Sequence, residues 1–130
     1  MPDAIVADVL SVNVTGQVND YQFNVQVSSP DTGCDQYADW WEVLSKDGRL
    51  LYCRVLLHSH VSEQPFTRSG GPVAVDEDAV VIVRAHMNNS GYGGAALRGS
   101  VSGGFEIIQM ESDFAAEVEA LEPLPGDCAF

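Results

Sequence analysis

The sequence predicts an all-β fold, an antiparallel sandwich of about seven strands, and three observations carry that expectation. Apolar and polar residues alternate at a period of two in several short stretches. Clusters of Gly, Pro, Asn and Asp punctuate those stretches as turns. The apolar fraction of 45% can fill a core, and the charged fraction of 19% is too low for a disordered chain. At 130 residues the chain suits one sandwich domain over residues 1–104, followed by an acidic C-terminal extension over 105–130.

The elements follow in order. Val6, Leu10, Val12 and Val14 share one parity against Ser11, Asn13 and Thr15. Tyr21, Phe23, Val25 and Val27 alternate with Gln22, Asn24, Gln26 and Ser28, the pattern of a half-buried strand. Ser29 to Gly33 breaks the chain. Residues 39–45 form a third strand, and the turn Lys46-Asp47-Gly48-Arg49 leads into Leu50–His60; an Asp-Gly pair between apolar runs predicts a type I′ hairpin. In that second arm Cys53, Val55, Leu57 and Val61 are expected inward, with Tyr52, Arg54, Leu56, His58 and His60 on the other face. Gln64-Pro65 and Gly70-Gly71-Pro72 bracket a short fifth strand or bulged edge. After the turn Asp76-Glu77-Asp78, Val81, Val83, Ala85 and Met87 point inward and Val80, Ile82, Arg84 and His86 outward. Asn88 to Gly94 is a loop, and Ala95–Ser102 the last hairpin arm.

The run Val81-Ile82-Val83-Arg84-Ala85-His86-Met87-Asn88-Asn89-Ser90-Gly91-Tyr92-Gly93 resembles the sixth strand and following loop of fibronectin type III domains, and Trp40-Trp41-Glu42-Val43 sits where their third strand carries a core aromatic. The resemblance spans residues 5–102 and implies an immunoglobulin or fibronectin type III-like sandwich. The usual leucine and tyrosine near the fifth-to-sixth strand corner are not evident, which leaves an immunoglobulin-like variant equally open. The segment His58–Ser69 resembles a stretch of small uncharacterised bacterial proteins, which implies no activity.

Residues 105–130 carry Glu106, Glu111, Asp113, Glu117, Glu119, Glu122 and Asp127 and no Lys or Arg. Phe105–Met110 has the makings of one more strand. Ser112 with Asp113 would cap a short helix, Phe114–Leu121, with Phe114, Val118 and Leu121 on one face, stopped by Pro123 and Pro125. This extension is expected to pack on the sandwich or stay mobile; the functional alternative is assembly or docking to a basic partner.

The formal net charge is -13 and Lys46 is the one lysine. Such a surface repels phosphate backbones, which excludes nucleic-acid binding. It suits cation binding, a basic partner or hydration in salt. No apolar run approaches the roughly 18 residues of a membrane span. Met1-Pro2-Asp3-Ala4 lacks the basic and apolar regions of a signal peptide, so a soluble chain, cytoplasmic rather than exported, is the expectation. Cys34, Cys53 and Cys128 are an odd set without CxxC spacing: small buried or free thiols, or a Cys34–Cys53 bridge with Cys128 left over.

For chemistry, His58 and His60 would place two imidazoles on one strand face, and His86 on a neighbouring strand would complete a facial set for zinc or another transition metal, with Glu63 as a ligand or general base. Arg54 and Arg84 beside a dication argue the other way. They suggest a polar patch in which Arg54, Arg84 and the histidines hold an anion; the wider binding patch expected is Arg54, Arg84, Trp40 and Tyr92, where an exposed Trp would meet a protein or glycan. Asp31, Asp35 and Asp39, and Asp76 to Asp78, are turn residues first and calcium ligands second. No G-x-S-x-G elbow or phosphate loop occurs. The expected function is therefore a non-enzymatic binding module without cofactor; the alternatives are a metal protein using His58, His60, His86 and Glu63, and an assembly subunit using the extension.

Overall fold

Period-two alternation buries one face of each strand, and two such faces closing on each other make a sandwich. The computed structural model describes residues 5–130; the Met1–Ala4 stretch read above lies outside the described residues. Its strands are β1 (Asp8–Gln17), β2 (Asp20–Ser28), β3 (Ala38–Ser45), β4 (Leu50–Val55), β5 (Phe66–Val73), β6 (Val81–Met87), β7 (Ala95–Ser100) and β8 (Gly104–Gln109). One sheet has the order β1-β2-β5 and the other β4-β3-β6-β7-β8, with antiparallel neighbours throughout. The fold is an all-β sandwich, as the alternation predicts.

Between the sheets lie Phe23, Val25 and Val27 of β2, Trp41 and Val43 of β3, Phe66 of β5, and Val81, Val83 and Met87 of β6. Each large apolar side chain removed from water contributes about 1.5–3 kcal/mol, so this layer is the main source of stability. Adjacent residues of a strand face opposite ways, so Trp41 lies in this core and Trp40 lies on the outer face of the five-stranded sheet.

Four local expectations change. A bulge between Val9 and Ser11 resets the parity of β1, so Val9 is buried while Leu10 is exposed. The turn after β3 is not type I′: only Gly48 there has positive φ, 91°, and the Gly48 N–H donates to the Ser45 carbonyl oxygen. β4 ends at Val55 with its parity reversed: Tyr52 and Leu56 pack on the core, Cys53 and Val55 pair with the outer-face Glu42 and Trp40, and Leu57 and Val61 point into solvent instead of inward. The segment expected as a helix over Phe114–Leu121 makes one 3-10 turn, Ala116–Ala120; its cap, Ala115, has φ 49° and no side-chain cap bond forms. Val118 is buried but Leu121 is exposed, because one tight turn cannot keep i, i+4 and i+7 on one face.

Phe105–Gln109 is strand, within β8 on the edge beside β7. Beyond it the chain returns across the outer face of the five-stranded sheet, where Val118, Phe114 and Ala115 pack on Leu44, Ile82 and Ala96. A disulfide joins Cys34 to Cys128. Both faces of β3 and β6 are thereby covered, which explains why every residue of β6 is buried.

Candidate functional site

Two polar clusters arise from this arrangement. On the outer face, the β3–β6 register sets Trp40 opposite His86 and Glu42 opposite Arg84. Arg84 Nε donates to Glu42 Oε2 at 2.8 Å, with both residues at most 3% exposed. Glu42 Oε1 accepts from Trp40 Nε1 at 2.7 Å and from the Tyr92 hydroxyl at 2.9 Å. The guanidinium also donates to the Phe114 and Ala115 carbonyl oxygens at 2.6 and 3.0 Å and lies 3.5 Å from the Tyr92 ring centroid. A charge buried this way is tolerable because its bonds are made.

His86 continues the cluster, with Nδ1 2.6 Å from Asp39 Oδ1 and Nε2 2.6 Å from Glu119 Oε2. Burial alone would lower its pKa, but hydrogen bonds and charge from Asp39 and Glu119 together raise it above the ordinary histidine value. Burial pushes the Tyr92 phenol up, reinforced by the Glu42 carboxylate. Two bonds from Arg84 and one from His86 thus hold the first part of the C-terminal segment over a sheet face it also packs with Val118.

The second cluster lies in the loop between β4 and β5. Asp31 organises it: Oδ1 accepts from Ser29 Oγ at 2.7 Å and the Ala38 N–H at 3.0 Å, and Oδ2 accepts from the His60 N–H at 2.8 Å. The His60 ring stacks on Phe66 (centroids 3.8 Å) and leans on His58 (4.5 Å), and His58 stacks on Phe130 (4.4 Å). Four rings therefore run from a core phenylalanine to an exposed one. Arg68 Nη2 lies 2.9 Å from His60 Nε2 and donates to Glu63 Oε1 at 3.1 Å. Burial lowers the His60 pKa, helped by Arg68 and His58, while the Arg68 hydrogen bond holds Glu63 below its ordinary value.

Of the residues expected to act together, Trp40, Arg84 and Tyr92 do converge, but under cover, not as an open patch. Arg54 stands apart, donating to the Ser69 and Val55 carbonyl oxygens. His58, His60 and Glu63 share the β4–β5 loop, whereas His86 belongs to the outer-face cluster. His60 and His86 are 4% and 5% exposed, not surface groups, because Phe66 and the C-terminal segment cover them. Among the described residues, no group of three or more His, Cys, Asp or Glu side chains is placed to hold a metal ion. His58, His60, His86 and Glu63 therefore do not form the facial set.

Sequence reasoning missed Asp31, Glu42, Arg68 and Glu119 as organising groups. Glu42 had a signal: an acid and a base on the outward parities of two strands. Asp31 and Glu119 had none, because loop return paths bring their partners to them. The cysteine expectation is corrected as well. Cys34 pairs with Cys128, and Cys53 is the free thiol, pushed up to about 12 by burial and then by Glu42 and Asp39. Cys53 lies on β4, with its sulfur 3.9 Å from the Pro123 carbonyl oxygen, so it faces the returning segment instead of Cys34.

No family model matches this chain, and no solved structure matches it. It is 35% identical over 126 residues, 97% of its length, to the protein named "Putative lipoprotein" of Halomicrobium mukohataei. The chain spans 59% of the length of that relative. The expectation of a cytoplasmic protein does not stand. A relative named as a lipoprotein and a disulfide between Cys34 and Cys128 both contradict it, since disulfides persist in oxidising compartments.

Proposed function

We propose that this chain is the folded, non-enzymatic binding module of an exported, lipid-anchored surface protein, built as an immunoglobulin or fibronectin type III-like sandwich. The observation that carries the binding role is one end of the sandwich where large apolar groups stand in solvent. Leu57, Val61 and Phe130 are each more than half exposed there, beside His58 and Arg68. Exposed apolar groups gathered in one place among polar side chains mark interaction surfaces. The other cluster supports a non-catalytic reading: Glu42, Arg84, Asp39 and His86 are occupied by one another and by the C-terminal segment. Strand order β1-β2-β5 against β4-β3-β6-β7, with Trp41 in the core of β3, supports the sandwich type. The net charge of -13 keeps the exposed surface hydrated in salt.

The test uses the disulfide-bonded chain and cell envelopes of its source organism. The protein binds those envelopes, and Leu57→Ser with Val61→Ser weakens binding by about tenfold or more with the fold intact. Membrane-impermeant label reaches the full-length protein on intact cells. Envelope binding that ignores both substitutions would overturn the binding role, and label exclusion from intact cells would overturn the exported one.

A further inference from the structure

We infer that the depression beside His58 and Phe130 is a glycan subsite that takes one neutral pyranose ring. This rests on the binding-module reading and names its ligand class. The depression has a volume of about 360 Å³ and is lined by His58, His60, Val61, Glu63 and Phe130. That space suits one sugar ring; a protein partner needs a contact of about 800 Å² on each side.

The hydrogen-bonding groups are of both signs. Arg68 is a donor only, so its contact with His60 Nε2 makes that nitrogen the acceptor and places the ring proton on Nδ1. His60 Nδ1 is itself buried and without a partner, and the residue is 4% exposed; the accessible donor of the depression is the hydroxyl of the exposed Ser62, which lines it. His58 Nδ1 lies 2.8 Å from the Ser59 carbonyl oxygen and donates to it, which leaves Nε2 to meet a ligand. Glu63 is exposed and accepts from Arg68 on one oxygen. The Ser62 hydroxyl, the His58 ring and the Glu63 carboxylate within one depression match vicinal hydroxyls, each of which donates and accepts.

The apolar part matches as well. Phe130 and Val61 present apolar surface at the rim, and the His58–Phe130 stack provides a flat one for the C–H face of a sugar. Charge favours a neutral sugar over an acidic one. Arg68 is paired with Glu63, Asp31 is bonded to the His60 N–H, and Arg54 is engaged by main-chain oxygens. Those four charges cancel, and the chain as a whole carries -13.

Amide spectra of the oxidised, full 130-residue chain test this. The probes are methyl α-glucopyranoside, methyl α-mannopyranoside, methyl α-galactopyranoside, N-acetylglucosamine and methyl glucuronide. At concentrations up to about 50 mM, enough for millimolar affinity, at least one neutral sugar shifts His58 to Glu63, Arg68 and Phe130. His58→Ala weakens that binding by about tenfold or more, and the exposed-site variant Glu63→Gln weakens it without unfolding risk. No response to any neutral sugar, preference for the glucuronide, or shifts confined elsewhere would each overturn the assignment. Envelope binding that survives such a result would leave the module reading standing and remove only the sugar.

Discussion

Trp40 and His86 stack face to face across β3 and β6, with ring centroids 3.7 Å apart and planes 5° from parallel. The stack holds the imidazole edge-on between Asp39 and Glu119, so one ring joins the sheet to the C-terminal segment. Removing His86 should therefore loosen a segment remote in sequence.

The pH dependence follows from the raised His86 pKa. A histidine whose folded pKa lies above the unfolded value of about 6.5 contributes stability that is fully present below that value. This contribution is lost as pH rises through the folded pKa. His86 faces Asp39 from β3 and Glu119 from the C-terminal turn, with Arg84 and Glu42 in the same cluster. Thermal unfolding measured from neutral to alkaline pH at fixed salt should show declining stability in the native chain and a flatter profile in His86→Gln. Equal slopes would refute this role.

Arg84 and Glu42 supply the largest single-site effect. Arg84→Met leaves a carboxylate buried without its cation and should cost about 3–5 kcal/mol. Adding Glu42→Leu should recover part of that loss. Recovery is incomplete because Trp40 Nε1 and the Tyr92 hydroxyl then lose their acceptor. Urea denaturation of the two single variants and the double variant measures the coupling.

The disulfide spans a sequence separation of 94 residues. Cys34→Ser with Cys128→Ser should lower stability by about 2–5 kcal/mol. Hydrogen exchange should show protection at Val118 and Leu121 lost before that of β2 and β3. In the oxidised native chain, Cys53 should resist thiol reagents near pH 8 and react only on unfolding, because its pKa is about 12.

Gly99 is a packing constraint at the β7–β8 hairpin. A Cβ there would stand 1.9 Å from the Gly104 carbonyl oxygen. Gly99→Ala should force these strands apart at a cost of about 1–3 kcal/mol, seen as lost amide protection along β8. Gly103→Ala, whose added methyl meets only the flexible Ser100 hydroxyl, should be milder.

The sandwich and much of its core are written in the local order of residues. Alternation is local, and a strand's neighbours in sequence already state which face avoids water, so Phe23, Val25, Val83 and Met87 were legible inward. The opposite parities of Trp40 and Trp41, and an eighth strand at Phe105–Gln109, were legible for the same reason. Parity says nothing about what lies above the outward face. Arg84, His86 and Trp40 are buried because the C-terminal segment, 30 and 33 residues beyond Arg84 and His86, returns to cover this face. The tertiary structure likewise parts His86 from His58 and His60 and brings Cys34 to Cys128. Those outcomes depend on where loops bring distant residues, and no local pattern encodes a return path.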